Sequence, residues 1–411
     1  MAGIAFLYHQ KDLSTEFKLF NFNMKEIKYS TQDINAQDIY NVSRTLKNDF
    51  ITQGPLVSKF ELALSKKCKS KYAIALSNAS NGLIIACEIL NLKKNDYVWC
   101  SAVTFISTIS CAIHLNSKFD LIDISLEDYN IDFSVLEKKL QIAKKQKKLP
   151  KIIIVTHLGG NPIDLKKISF LKKKYKFNII EDASHALGAS VGNNPVGSCT
   201  YSDATIFSFH PVKSITTGEG GAITLNNKIN YIKAKQLISH GLIRNKKLIR
   251  RKYNGIWDYD IFKIGYNFRL SDINCSLGIS QLKRLNKFIK IRNQIAKNYD
   301  KFFMNHSDII TPKINNKNKS SFHLYIVRIK RLTLKKKKKL FEIMKKKKIN
   351  LNFHYIPINK FHVFYTKFKN KKFKNSETYY NEAISLPIHS KLNYGKIKFV
   401  ANNLINALDN I

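Results

Sequence analysis

Between about residues 70 and 227 the chain alternates short apolar, β-rich runs with stretches of helical periodicity, a pattern that restricts the fold more than any other feature of the sequence. It is the mark of a parallel sheet covered by helices. The strands expected are "YAIALSN" (72 to 78), "YVWCSAV" (97 to 103), "FDLIDIS" (119 to 125), "KIIIVTHL" (151 to 158), "FNIIEDAS" (177 to 184), "ATIFSFH" (204 to 210) and "GAITLN" (221 to 226), with helices such as "SVLEKKLQIAKKQ" (134 to 146) and "DLKKISFLKKKYK" (164 to 176) between them. A chain of 411 residues exceeds what one core usually supports. After about residue 285 the pattern changes to a long basic helix, "FHLYIVRI" and further short elements. The expected organisation is an α/β large domain over 25–285 and a smaller C-terminal α+β domain over 286–411, preceded by an N-terminal extension, 1–24, that has no clear period.

The formal charge of +41 raises the question of nucleic acid or another anionic surface. Its distribution argues otherwise. In "LTLKKKKKLFEIMKKKKIN" (332 to 350), Leu340, Phe341 and Met344 keep helical spacing with lysines around them, as in an amphipathic helix with a solvated face. No RNP-like, helix-turn-helix or C2H2 pattern accompanies the charge, so no specific nucleic acid is expected. A non-catalytic basic nucleic-acid-binding protein is the distant alternative. No run approaches the ~18 apolar residues of a membrane span, and "MAGIAFLYHQ" lacks the features of a signal peptide. The expectation is a soluble cytoplasmic protein that does not engage a membrane. Six scattered cysteines form no C-x-x-C pair, so neither a disulfide framework nor a metal site is expected.

In open parallel sheets ligands sit beyond the carboxyl ends of the strands. After the first strand, "SNASN" opens a helix with small polar residues that suit a phosphate; an ordinary N-cap at Ser80 is the competing account. After the second, "TFISTIS" places Phe105 at the mouth of a site as a stacking face or, more commonly for an aromatic, in the core. "NIIEDASHALG" ends a hydrophobic strand in Glu181 and Asp182, costly acids unless each meets a cation. A protonated pyridine nitrogen is one such cation, and one of the many lysines another, the latter more plausible for Glu181. Then "FSFHPVKSITTGEGGAITL" (207 to 225) sets Lys213 beyond a strand, with Ser208 before it and a Gly-rich turn after it. The glycines match neither a Walker loop nor G-x-G-x-x-G. An imine-forming lysine, an acid for a ring nitrogen, a phosphate cradle and a stacking ring are together the parts that pyridoxal phosphate requires.

"EDASHALGAS", "FSFHPVKSITTGEGGAITLNN" and "GYNFRLSDINCSLGISQLKRL" resemble, in order and spacing, the DegT/StrS-type sugar aminotransferases, and the resemblance runs over about residues 25 to 408. It implies the fold-type-I fold of pyridoxal-phosphate transferases, pyridoxal 5'-phosphate as cofactor, and a homodimer whose subunits share active sites. It also implies roles. Lys213 is the expected imine lysine and proton-transfer base. Asp182 is expected on the pyridine nitrogen, His185 near the ring, Phe105 in the stacking position, and Ala79, Ser80 and Ser208 at the phosphate or the border of the substrate. Asn267 and Arg269 are expected to reach across from a second subunit, while Tyr29, Asp49, Phe50, Ile51, Thr52, His354 and Tyr355 match positions lining a nucleotide-sugar pocket.

Related dehydratases of the same fold carry histidine where this chain has Lys213, so the resemblance favours transamination. "ITQGPLVSKFE", "SHGLIRN", "NFHYIPI" and "AISLPIHSKLN" resemble the branch of the family that serves pseudaminic acid biosynthesis. The activity this implies is transfer of an amino group from L-glutamate to C4 of a UDP-linked 4-keto-6-deoxy-N-acetylhexosamine, as a step in making a surface glycan. Another nucleotide 4-keto sugar, of the bacillosamine or perosamine type, is the alternative within the fold.

Overall fold

The structure, a computed structural model, describes residues 25–411, and the extension expected over 1–24 lies outside the described residues. Two helices come first, α1 (Ala36–Thr45) and α2 (Pro55–Cys68). Seven strands then form one sheet: β1 (Tyr72–Leu76), β2 (Tyr97–Ser101), β3 (Lys118–Ile122), β4 (Ile152–Thr156), β5 (Asn178–Asp182), β6 (Ala204–Ser208) and β7 (Gly221–Leu225). Their order is β1-β7-β6-β5-β4-β2-β3. All seven fall on the runs expected from the sequence. β7 alone is antiparallel to its neighbours, β1 and β6, whereas the β2, β3, β4, β5 and β6 pairings are parallel.

Crossover helices cover both faces: α3 (Ala79–Ile89), α4 (Ser107–His114), α5 (Phe133–Lys145), α6 (Leu165–Tyr175) and α7 (Lys228–Leu237). The strand β4 shows why they must. Its alternate residues point to opposite sides, so Ile152 and Ile154 enter one core while Ile153 and Val155 enter another. Side-chain caps set several of the helix starts: Asn78, Asp132 and Asp164 each accept a backbone N–H in the first turn of α3, α5 and α6. The cap of α3 is therefore Asn78 rather than Ser80.

The long helix α8 (Asp272–Phe303) passes through residue 285 without a break. Leu285 and Phe288 pack into a core with β1 and β6 residues, whereas Ile295, Tyr299 and Phe303 belong to a different one. That second core lies under a three-stranded antiparallel sheet of β8 (Ile309–Ile310), β9 (Tyr325–Ile329) and β10 (Ala383–Leu386), in the order β8-β9-β10, with α9 (Leu334–Lys346) and α10 (Tyr394–Asp409) against it. Ile27 joins it through a parallel bridge to Ile349. In α9, Leu340 and Met344 are buried as the pattern requires, but Lys337 is buried too. Its Nζ lies 3.7 Å from the Phe353 ring centroid and donates to the Tyr380 carbonyl at 2.7 Å.

Candidate active site

Adjacent residues of a strand face opposite sides of the sheet, and at the end of β5 this separates two carboxylates. Glu181 accepts from Thr205 Oγ1 at 2.9 Å, from Ser202 Oγ and from His157 Nε2 at 2.9 Å. Since His157 Nδ1 accepts the Ile163 N–H, the Nε2 proton is the one that reaches Glu181. No lysine partners Glu181 among the described residues. The cation suggested for it is replaced by two hydroxyls and an imidazole. Asp182 faces instead a cavity of about 320 Å3 at the carboxyl ends of the strands. Its Oδ1 accepts from Ser184 Oγ at 2.7 Å and its Oδ2 from Thr108 Oγ1 at 2.7 Å.

Lys213 enters the same cavity from the loop joining β6 to β7. That loop is pinned at several points. Thr217 N–H and Thr216 Oγ1 both donate to the Phe209 carbonyl, Lys213 N–H donates to His210 O, and Ser30 Oγ donates to Val212 O. Gly218 turns the chain at a φ of 82°, a conformation open to glycine. Burial lowers the Lys213 amine to about 8, with the Asp182 charge acting in the opposite direction.

The first turn of α3 forms another wall through Asn78, Ala79 and Ser80, where helix N–H groups lack intrahelical partners. Ser208, at the end of β6, stands with them. Phe105 is 51% exposed at the cavity, with its ring 5.6 Å from that of Tyr355, so it is not a core aromatic. His185 is buried and held neutral: burial first, then the charge of Lys213, push it well below its ordinary value. Its Nδ1 accepts the Gly159 N–H at 3.3 Å, which leaves the Nε2 proton to donate to Tyr355 Oη at 2.9 Å. His354, driven down to about 3 by burial, bonds Ser385 through Nδ1 and stands 5.4 Å from the Tyr29 ring.

Ten of the sequence-proposed residues thus share one cavity: Tyr29, Ala79, Ser80, Phe105, Asp182, His185, Ser208, Lys213, His354 and Tyr355. The others lie outside its walls. Asp49, Phe50, Ile51 and Thr52 are exposed on the segment between α1 and α2, where Ile51 O accepts the Asp272 N–H and Thr52 bridges Ser271. Asn267 bridges Ser239, and Arg269 bridges Leu76. Sequence reasoning missed Thr104, Thr156, His210, Glu219 and His323, which also line the cavity, and Thr108 behind it. The threonines flanking Phe105 in "TFISTIS" were the available signal.

This donor set fits pyridoxal phosphate: an amine, a buried carboxylate facing the cavity, a helix N-terminus with hydroxyls, and an exposed ring. Residues 32–405 match the model of the DegT/DnrJ/EryC1/StrS aminotransferase family. The chain belongs to this family. Like other members it is a pyridoxal-phosphate-dependent sugar aminotransferase of the fold-type-I α/β class. A Campylobacter jejuni relative, UDP-4-amino-4,6-dideoxy-N-acetyl-beta-L-altrosamine transaminase, is 37% identical over 386 residues, 94% of this chain and 98% of its own. The solved structure of Helicobacter pylori PseC, an aminotransferase of pseudaminic acid biosynthesis, superposes with a TM-score of 0.86 at 28% identity, covering 94% of this chain and all of its own. The PLP-form of a putative sugar aminotransferase from Streptococcus pneumoniae gives 0.84 at 26% identity, over 94% of this chain and 99% of its own.

Proposed function

We propose that this aminotransferase moves an amino group from L-glutamate to C4 of a UDP-linked 4-keto-6-deoxy-N-acetylhexosamine, giving UDP-4-amino-4,6-dideoxy-N-acetyl-β-L-altrosamine for pseudaminic acid biosynthesis. The observation that carries the chemistry is that Lys213 and Asp182 face one cavity beside the N-terminus of α3. The choice of sugar rests on the Campylobacter and Helicobacter relatives.

In this reading the bound cofactor supplies an electron sink for the carbon that loses its proton. Lys213 is the group that takes this proton and returns it one position away, and an amine held near 8 exchanges protons at neutral pH without a large penalty in either direction. Asp182, fixed through both oxygens, would hold the proton on the ring nitrogen. The phosphate would rest on the α3 N-terminus with Ser80 and Ser208, and Phe105 would cover one ring face. His185, neutral and donating to Tyr355, orients that hydroxyl without adding a charge beside Lys213. Tyr29, His354 and Tyr355 give the sugar an aromatic wall.

The remaining sequence-proposed residues fit a homodimer with shared sites. Asp49–Thr52, Asn267 and Arg269 lie outside the cavity of their own chain, and Ile256, Trp257 and Ile264 project nearby in sequence at 92, 72 and 80% exposure, as a face covered by a second copy would. The division into a large domain, 25–285, and a small one, 286–411, belongs to the same reading. No helix among the described residues is long and apolar enough to cross a membrane, and the six cysteines are free and buried, which suits a reducing cytoplasm.

The test is an absorbance spectrum of the purified protein, read again after L-glutamate and then after individual UDP-4-keto sugars. A visible band that glutamate removes and a single keto sugar restores supports the reading and names the substrate. Restoration only by a bacillosamine- or perosamine-type sugar would reassign the substrate. Lys213→Ala should abolish turnover while leaving the circular dichroism unchanged, and full activity in that variant overturns the assignment.

A further inference from the structure

Three buried threonines from three elements run in line to Asp182. Thr156 ends β4, Thr104 follows β2 and Thr108 lies in the first turn of α4; they are 7, 1 and 0% exposed. Thr104 Oγ1 lies 2.8 Å from Thr156 Oγ1 and 2.9 Å from Thr108 Oγ1, and Thr108 Oγ1 lies 2.7 Å from Asp182 Oδ2.

The protons in this chain have only one arrangement. A hydroxyl owns one proton, and an ionised carboxylate only accepts. Thr108 therefore commits its proton to Asp182 and can only accept from Thr104. Thr104, its proton spent on Thr108, can only accept from Thr156. The three O–H groups point the same way, each polarising the next, and the series ends on the carboxylate. Ser184 fixes the other oxygen through both its hydroxyl and its N–H, at 2.7 and 3.2 Å. The carboxylate plane is thus held from two sides.

Packing alone does not call for this. Valine has nearly the shape of threonine, and buried hydroxyls contribute only when every donor and acceptor is met. Branching at Cβ also restricts each side chain to few rotamers, which suits threonine to a chain that must keep one direction.

We propose that Thr156, Thr104 and Thr108 form a one-way hydroxyl relay that fixes the orientation of Asp182 and keeps it ionised to face the cofactor's ring nitrogen. They are positioning residues acting through Asp182, and the inference rests on the role given above to that residue. Thr104 and Thr156 also line the cavity, so the relay begins where a ligand sits.

The experiment uses the full-length protein stripped of cofactor, with Thr108→Val, Thr104→Val, Thr156→Val and Thr108→Ser. Pyridoxal phosphate affinity, the pH titration of the visible band, and kcat and KM for the glutamate half-reaction are measured for each. Removing the partner behind a ligand-holding group typically costs about 10- to 100-fold in affinity, so Thr108→Val should weaken pyridoxal phosphate affinity by that factor. Its kcat should fall far more than its KM changes, and the pH titration of the band should move. Thr104→Val should do less, Thr156→Val least, and Thr108→Ser should recover most of the loss. Affinity within twofold of wild type and an unmoved titration in Thr108→Val overturn the proposal. If Thr108→Val does not fold, Thr104→Val, which breaks the relay but leaves the bond to Asp182 in place, decides on the titration and kcat: a shift in either supports the relay, and both unchanged overturn it. A wild-type protein that binds no pyridoxal phosphate would instead overturn the role of Asp182 itself.

Discussion

Lys213 is one of 70 lysines and arginines, and its surroundings alone distinguish it. A lowered amine does not: burial takes Lys337 down to about 7, yet that side chain ends on the Phe353 ring and a backbone carbonyl, away from the cavity. What marks Lys213 is a shared cavity with Asp182. Its amine, at about 8 against the usual 10.5, is neutral in a few-hundred-fold larger fraction at pH 7 than an ordinary lysine. Only the neutral amine attacks an aldehyde. The rate at which the cofactor-free protein takes up pyridoxal phosphate should therefore climb between pH 7 and 8 and level off above, rather than climb to pH 10; stopped-flow absorbance reads this directly. At this scale the meeting of Lys213, Asp182, His185 and Phe105 in one cavity was legible because each ends or closely follows a strand. Thr108 was not, since its partner lies 74 residues away and threonine carries no chemistry by itself.

Among the elements, all seven strands of the large sheet could be read from their apolar runs, and α5 and α6 between them from their period, whereas α4 and α7 were not singled out. The reversal of β7 could not, because a buried strand has the same composition in either direction. That reversal places Gly221 opposite Leu76, directly behind the first turn of α3. A Cβ there would stand 2.6 Å from Ala79 N and Asn78 C, backbone atoms that cannot swing aside. Gly221→Ala should therefore displace the start of α3 and cost about 1–3 kcal/mol of stability, the usual range for overpacking. It should also weaken pyridoxal phosphate binding, although no side chain of the site is touched. Denaturant unfolding and cofactor titration of that variant are the checks. Equal stability would mean that α3 shifts without loss.

Across the whole molecule, four buried histidines set the response to acid. His185 and His323 are held well below their ordinary value by burial, His389 at about 4 and His354 at about 3. Below pH 6.5 the unfolded chain takes up protons on them that the folded chain refuses, so stability falls as the pH drops, by up to about 1.4 kcal/mol per unit for each. For His389 the loss is complete near pH 4, and for His354 near 3. Calorimetry should show the melting temperature falling steeply from pH 6.5 to 4, and a flat profile over that range would mean the histidines are charged in the fold.

The cavity also has walls from two separate cores. Asp182 and Ser208 end strands of the large sheet and Ser80 and Lys213 lie just beyond its strand ends, whereas His323 lies two residues before β9 and His354 is bonded to β10. The two cores are also bolted together beside the cavity: Leu324, Ile326, Tyr379 and Ala383 pack with Val103, Ile124 and Leu158, and the Asn375 and Ser376 N–H groups donate to Asp123. The cavity is therefore braced from both sides, a socket rather than a hinge.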